Sequence, residues 1–182
     1  MSEKYKFYDP DEMYFITSTI VGWVDIFTKS RYCDLVLDSL RYCQNNKGLV
    51  IHAWVIMSNH LHLIVSKNGD YSLQDIVRDF KRHTSIEISK LIVSGDDSRK
   101  KWMLEIFRQE ASRLKRVNNY KIWQDGNHPK ELNTNEKIDQ RLQYLHNNPV
   151  IAGIVYNQED YIFSSALDYT DGKGLLDIEI ID

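Results

Sequence analysis

His60 and His62 stand one residue apart inside the apolar run Ala53-Trp54-Val55-Ile56-Met57-Ser58-Asn59-His60-Leu61-His62-Leu63-Ile64-Val65. In a strand, side chains alternate between faces, so the two imidazoles would project together while Leu61, Leu63 and Val65 point into a core. Neutral imidazole is a common metal ligand, and two of them on one rigid element make half of a metal site. The pair reads equally well as ordinary histidines at a strand edge. A second segment, Tyr144-Leu145-His146-Asn147-Asn148-Pro149-Val150, adds a phenol and an amide. Tyr144 and Asn148 are four residues apart and share a helical face. If that helix end docks beside the histidines, the result is two nitrogens, one amide oxygen and open positions. Such a site can polarise a phosphoryl oxygen as a Lewis acid. A phenol beside it is a poor nucleophile at neutral pH unless its proton is helped away. Taken singly, Tyr144 reads as a packing tyrosine, Asn148 as a helix stop before proline, and His146 as a surface or capping histidine. His52 and His128 have no partner that spacing identifies. Trp54 and Trp123 read as core.

The elements that must position these residues follow from periodicity. Tyr14 to Ile20 is rich in β-branched and aromatic residues and reads as a first strand. An amphipathic helix over Arg31 to Gln44 closes at Asn45-Asn46-Lys47-Gly48. Val50 to Met57 and His60 to Val65 read as two strands joined at Ser58-Asn59, or as one long bent strand. Ser72 starts a second helix running to about Leu91, with Leu73, Ile76, Val77, Phe80, Ile88 and Leu91 on its core stripe. Arg99 to Val117 reads as a third helix after a polar break. Tyr120 to Trp123 alternates as a last core strand, which Asn127-His128-Pro129 would end or bend. Asn133, with Glu136 as its capping partner, opens a fourth helix that Pro149 stops. The tail from Leu175 to Asp182 looks like a late edge strand. The order β, α, β, β, α, then β, α predicts an α+β fold of the ferredoxin-like, split βαβ kind. Its central antiparallel sheet would carry helices on one face, histidines on the open face, and an additional C-terminal helix bearing the tyrosine.

At 182 residues the chain is long enough for one well-buried domain, with a core over about residues 14–156 and a C-terminal extension over 157–182. An apolar fraction of 42% and a charged fraction of 27% are those of a soluble globular protein. No apolar stretch approaches the roughly 18 residues that span a bilayer, and the N-terminus lacks the apolar core of a signal peptide. A cytoplasmic protein without membrane partners is expected. Cys33 and Cys43 lie on one helix and read as reduced core thiols. The net charge of −3 argues weakly against nucleic acid. The mean hides an asymmetry, because Arg78 to Lys121 carries twelve basic and six acidic residues. A local basic face can hold phosphates on an acidic protein, although a solvated helix surface explains the same charges. Lys81, Arg82, Arg113, Lys115 and Arg116 are the candidate phosphate contacts, with His83 on the same face.

Four motifs in one order carry a family resemblance: Met57 to Val65, Phe80-Lys81-Arg82-His83-Thr84-Ser85, Ile122-Trp123-Gln124, and Tyr144 to Gly153. Together they resemble the single-tyrosine HUH transposases, most closely the REP-associated tyrosine transposases, over about Tyr14 to Tyr169. Ser58 stands where members of that family often have proline. The resemblance implies that His60 and His62 are metal ligands, that Tyr144 is the nucleophile, and that Asn148 falls at the third polar ligand. It implies a divalent ion, Mg2+ or Mn2+, and single-stranded or hairpin DNA as substrate. The reaction implied is cleavage and strand transfer through a 5′-phosphotyrosine link. Two other readings stay open at this point. One is a domesticated hairpin-DNA-binding protein with little or no cleavage, and the other an unrelated metallohydrolase. A homodimer, and whether Tyr144 serves its own metal site or a partner's, also stay open.

Overall fold

Four antiparallel strands in the order β2-β3-β1-β4 form the centre of the molecule. The structure is a computed structural model and describes residues 7, 9, 12–113 and 119–181. The strands are β1 (Tyr14–Thr19), β2 (Leu49–Ile56), β3 (His60–Lys67) and β4 (Lys130–Glu131). The helices are α1 (Ser30–Lys47), α2 (Leu73–Ser94), α3 (Lys100–Ser112) and α4 (Asn135–Ile151). Read from β4, the strand order is that of the split βαβ fold, so the expected class holds.

Alternation divides the core in two. Tyr14, Ile16, Leu61, Leu63 and Val65 lie in one buried cluster with Val36, Leu40, Ile76, Phe80, Met103 and Phe107 of α1, α2 and α3. Phe15, Ala53, Val55 and Ile64 face the other way, against Ile138 and Leu145 of α4. The face expected to be open is therefore covered by the tyrosine helix. A register shift between Ile51 and Ala53 resets the alternation in β2, so that Ile51 and Trp54 enter the same cluster. His52, at that irregularity, bonds Ser66 Oγ at 2.8 Å and the Glu179 carbonyl at 3.1 Å, a structural role. Cys33 and Cys43 are buried free thiols, pushed up by burial to about 12 and about 11 respectively.

Four features differ from expectation. Tyr120 to Trp123 forms no continuous strand. Trp123 makes a single bridge to Ile20, the Val21 amide donates to the Ile122 carbonyl, and the Thr17 amide donates to the Asn127 carbonyl. Left-handed backbone at Gly126 (φ 79°) and His128 (φ 44°), followed by Pro129, breaks the ladder before it resumes at β4. The α4 cap is Thr134, whose Oγ1 accepts the Lys137 amide, rather than Asn133. Pro149 lies within α4 and does not stop it, since the helix continues to Ile151. The tail is no strand among the described residues. It runs along the edge of β2 instead, where Ile56 donates to the Phe163 carbonyl, Ser165 to the Trp54 carbonyl and Glu179 to the Ile51 carbonyl. No helix among the described residues is long and apolar enough to cross a membrane.

Candidate functional site

The β1–β3 register sets Thr17 opposite His62 and Thr19 opposite His60. Thr17 Oγ1 lies 2.8 Å from His62 Nδ1, and the Phe15 ring stacks on the imidazole with centroids 5.1 Å apart. His62 is only 4% exposed, yet its Nε2 is buried without a hydrogen-bond partner among the described residues. Burial, then the neighbouring His60, Arg141 and Lys130, push its pKa down to about 3, so the ring is neutral at physiological pH. His60 is half-buried, and burial also lowers its pKa. The two rings are 4.8 Å apart. Asn59 fixes the tautomer of His60. Its amide nitrogen donates to Asp25 Oδ1 at 2.9 Å and the Trp23 carbonyl at 3.3 Å. Its Oδ1 is then the acceptor 2.8 Å from His60 Nδ1, which must carry the proton. The lone pair of His60 therefore sits on Nε2.

Helix α4 brings Tyr144 to this pair. The phenol ring meets His62 with centroids 5.5 Å apart and Phe15 at 6.0 Å, and remains 43% exposed. One turn earlier, the Arg141 guanidinium lies 5.4 Å from the Phe15 ring centre and 5.9 Å from that of Tyr144. Asn148 donates its amide N–H to the Tyr144 carbonyl at 2.6 Å, which leaves the amide oxygen as the end able to meet a cation. Among the described residues, no three His, Cys, Asp or Glu cluster as a metal site, so a third protein ligand would have to be of another type. Two neutral imidazoles, one with an orphaned buried nitrogen, fit a bound cation.

The basic candidates fare differently. Lys81 is a correction. Its ammonium donates to the Gln124 and Gly126 carbonyls at 2.8 and 2.9 Å and to Asn127 Oδ1 at 3.1 Å, which uses all three protons. Burial lowers its pKa to about 8, and it pins the 124–127 loop rather than meeting a phosphate. Arg82 is exposed and lies 3.4 Å from Asp79 Oδ1. With His83 it lines a groove of about 1120 Å³ between α1 and α2, on the sheet face opposite His62. Arg113 is exposed and paired with Glu110. Lys115 and Arg116 lie outside the described residues. His146 is a second correction, being 4% exposed rather than on the surface. Its Nε2 lies 2.9 Å from Ser165 Oγ, which ties α4 to the tail. Sequence reasoning missed Arg141, Thr17 and Asn59. The spacing Arg141-x-x-Tyr144 places both on one helical face and could have signalled the first. The register of β1 against β3, which reveals Thr17, is not written locally.

Residues 24–103 match the family model described as "Transposase IS200 like". Over that span, 80 of its 182 residues, the chain is similar to the IS200-like transposases. The match agrees with the expected family resemblance and takes in two of its four motifs, Met57 to Val65 and Phe80 to Ser85. No curated protein matches the chain. Among solved structures, a REP-associated tyrosine transposase bound to a REP hairpin aligns with a TM-score of 0.65 and 20% identity. The alignment covers 92% of this chain and 84% of that one, and shows that the two share a fold.

Proposed function

We propose that this transposase-like chain, acting as one domain over its full length, cleaves single-stranded DNA and rejoins it through Tyr144. The observation that carries this reading is the phenol of Tyr144 against His62, whose Nε2 is buried and unpartnered. The family match and the hairpin-bound relative support DNA, and hairpin DNA in particular, as substrate.

His60, His62 and Asn148 would hold a magnesium or manganese ion, which when bound supplies positive charge to a phosphoryl oxygen of the scissile phosphate. The chain's own residues do the rest. Tyr144 Oη forms a bond to phosphorus while the bond from phosphorus to the 3′ oxygen breaks. The phenolic proton passes to solvent, and the departing 3′ oxygen takes one up. The product is a 5′-phosphotyrosine link and a free 3′-hydroxyl, and the reverse step joins the held strand to another 3′ end. Arg141, beside the Tyr144 ring, offers its guanidinium to the non-bridging oxygens. Thr17 and Asn59 hold the imidazoles in place. Tyr144 meets His62 of its own chain, which supports attack within one chain. Arg113, Lys115 and Arg116 remain candidates for backbone contacts further along the strand.

Incubation with labelled hairpin DNA and manganese, followed by denaturing electrophoresis, tests the reading. A covalent adduct that keeps a label on the strand 3′ of the break is expected. Tight binding without any adduct would favour a DNA-binding protein that no longer cleaves.

A further inference from the structure

Beside the histidine pair, the chain between β1 and α1 makes a tight turn with Val21 in the core and Trp23 outside it. Gly22 and Trp23 are both left-handed, with φ of 65° and 55°. Glycine takes that conformation freely, but tryptophan meets a steric penalty in it. The Trp23 side chain gains little burial in return. It is 62% exposed, and among the described residues no ring or cation is recorded against it. Strained, exposed residues held by their surroundings are characteristic of ligand clamps.

The surroundings hold this one firmly. The Trp23 amide donates to the Ile20 carbonyl at 3.1 Å. Its carbonyl accepts from Asn59, the same side chain that orients His60. The Arg99 guanidinium reaches the Asp25 carbonyl at 2.8 Å and Thr28 Oγ1 at 3.1 Å. Behind the turn, a Cβ on Gly22 would lie 2.8 Å from Ile106 Cγ2, so α3 backs it closely. One side chain, Asn59, thus links the candidate metal ligand to the backbone of the turn that presents an exposed indole.

We propose that Trp23 is a stacking platform for one nucleobase of single-stranded DNA, in the flank next to the phosphate cleaved at Tyr144. This rests on the reading of the site as one that acts on single-stranded DNA. A flat, exposed indole stacks on any base and spaces the strand without reading its sequence. Fixing one base beside the histidines would set which phosphate reaches Tyr144.

The test uses the full chain and a labelled DNA hairpin with single-stranded flanks of mixed sequence, in chelator so that no cleavage intervenes. Trp23→Asn removes the ring while keeping a residue that tolerates left-handed backbone, so the fold survives. Trp23→Phe keeps a ring. Fluorescence anisotropy should show Trp23→Asn weakening binding about 5- to 150-fold, the range base–aromatic stacking supplies, with Trp23→Phe much nearer to the unsubstituted protein. A fluorescent base analogue moved along the flank should be quenched at one position, and that quenching should vanish in Trp23→Asn. If the unsubstituted protein binds and Trp23→Asn binds equally, the platform is overturned while the DNA reading stands. If the unsubstituted protein binds no DNA, both fall together.

Discussion

At the residue scale, the histidines differ in what they owe to the fold. His60 is half-buried, whereas His62 stacks on Phe15 and bonds Thr17. His60→Ala should therefore leave stability within about 0.5 kcal/mol, and His62→Ala should cost about 1–3 kcal/mol by opening a cavity and stranding a hydroxyl. Both should lose manganese binding by calorimetry, and unchanged binding in both would remove them as ligands. Lys81 calls for the opposite expectation from a phosphate contact. Lys81→Met strands three acceptors, so it should lower stability by about 1–3 kcal/mol and leave the salt dependence of DNA binding unchanged. A flatter salt slope with undiminished stability would restore it as a phosphate ligand. The histidine and tyrosine motifs were legible because side-chain chemistry at fixed spacing is local. Lys81 was misread because burial of its ammonium depends on a loop forty residues away.

At the element scale, α4 is the moving part of the argument, since it carries Tyr144 to a sheet built from distant sequence. Its anchor is His146, buried against Ser165 Oγ and the Tyr169 ring, 5.0 Å between centroids. Burial pushes the pKa of His146 down to about 4, from 6.5 for an unhindered imidazole. The unfolded chain takes up a proton near 6.5 that the folded chain resists until about 4. The stability tied to a neutral His146 is thus complete above that window and declines as pH falls through it. Denaturant melts at a series of pH values should show this decline, with a shallower slope in His146→Asn. Equal slopes in the two proteins would mean that His146 does not stay neutral in the fold. Helix and strand identities were legible from period alone. The strand expected at Tyr120 to Trp123 was not, because positive φ at Gly126 and His128 splits the edge of β1 among three partners. The α4 boundary was misjudged because proline disfavours the α region at the residue before it without forbidding it, and α4 runs through Pro149 to Ile151.

At the scale of the whole molecule, the sheet separates two environments. One face, under α1, α2 and α3, is core together with a groove that holds Arg82 and His83. The other holds His60, His62, Arg141 and Tyr144 under α4. Charge counted along the sequence could not see this division, which is why a basic stretch pointed to Arg82 on α2 and Arg113 at the end of α3, helices that cover the face opposite His62. Arg141→Ala should weaken single-stranded DNA binding and flatten its log–log salt slope by about 0.7, the value for one phosphate contact. Arg82→Ala should leave both unchanged, and a loss there equal to that of Arg141→Ala would place DNA on the α1–α2 face instead. Mass spectrometry of the protein–DNA adduct shows directly whether Tyr144 is the residue that bonds to phosphorus. After nuclease and protease digestion, the peptide containing Tyr144 should carry the nucleotide, and Tyr144→Phe should give no adduct while binding DNA within a few-fold of normal. A nucleotide found on another residue, or an adduct of normal yield in Tyr144→Phe, would contradict the account.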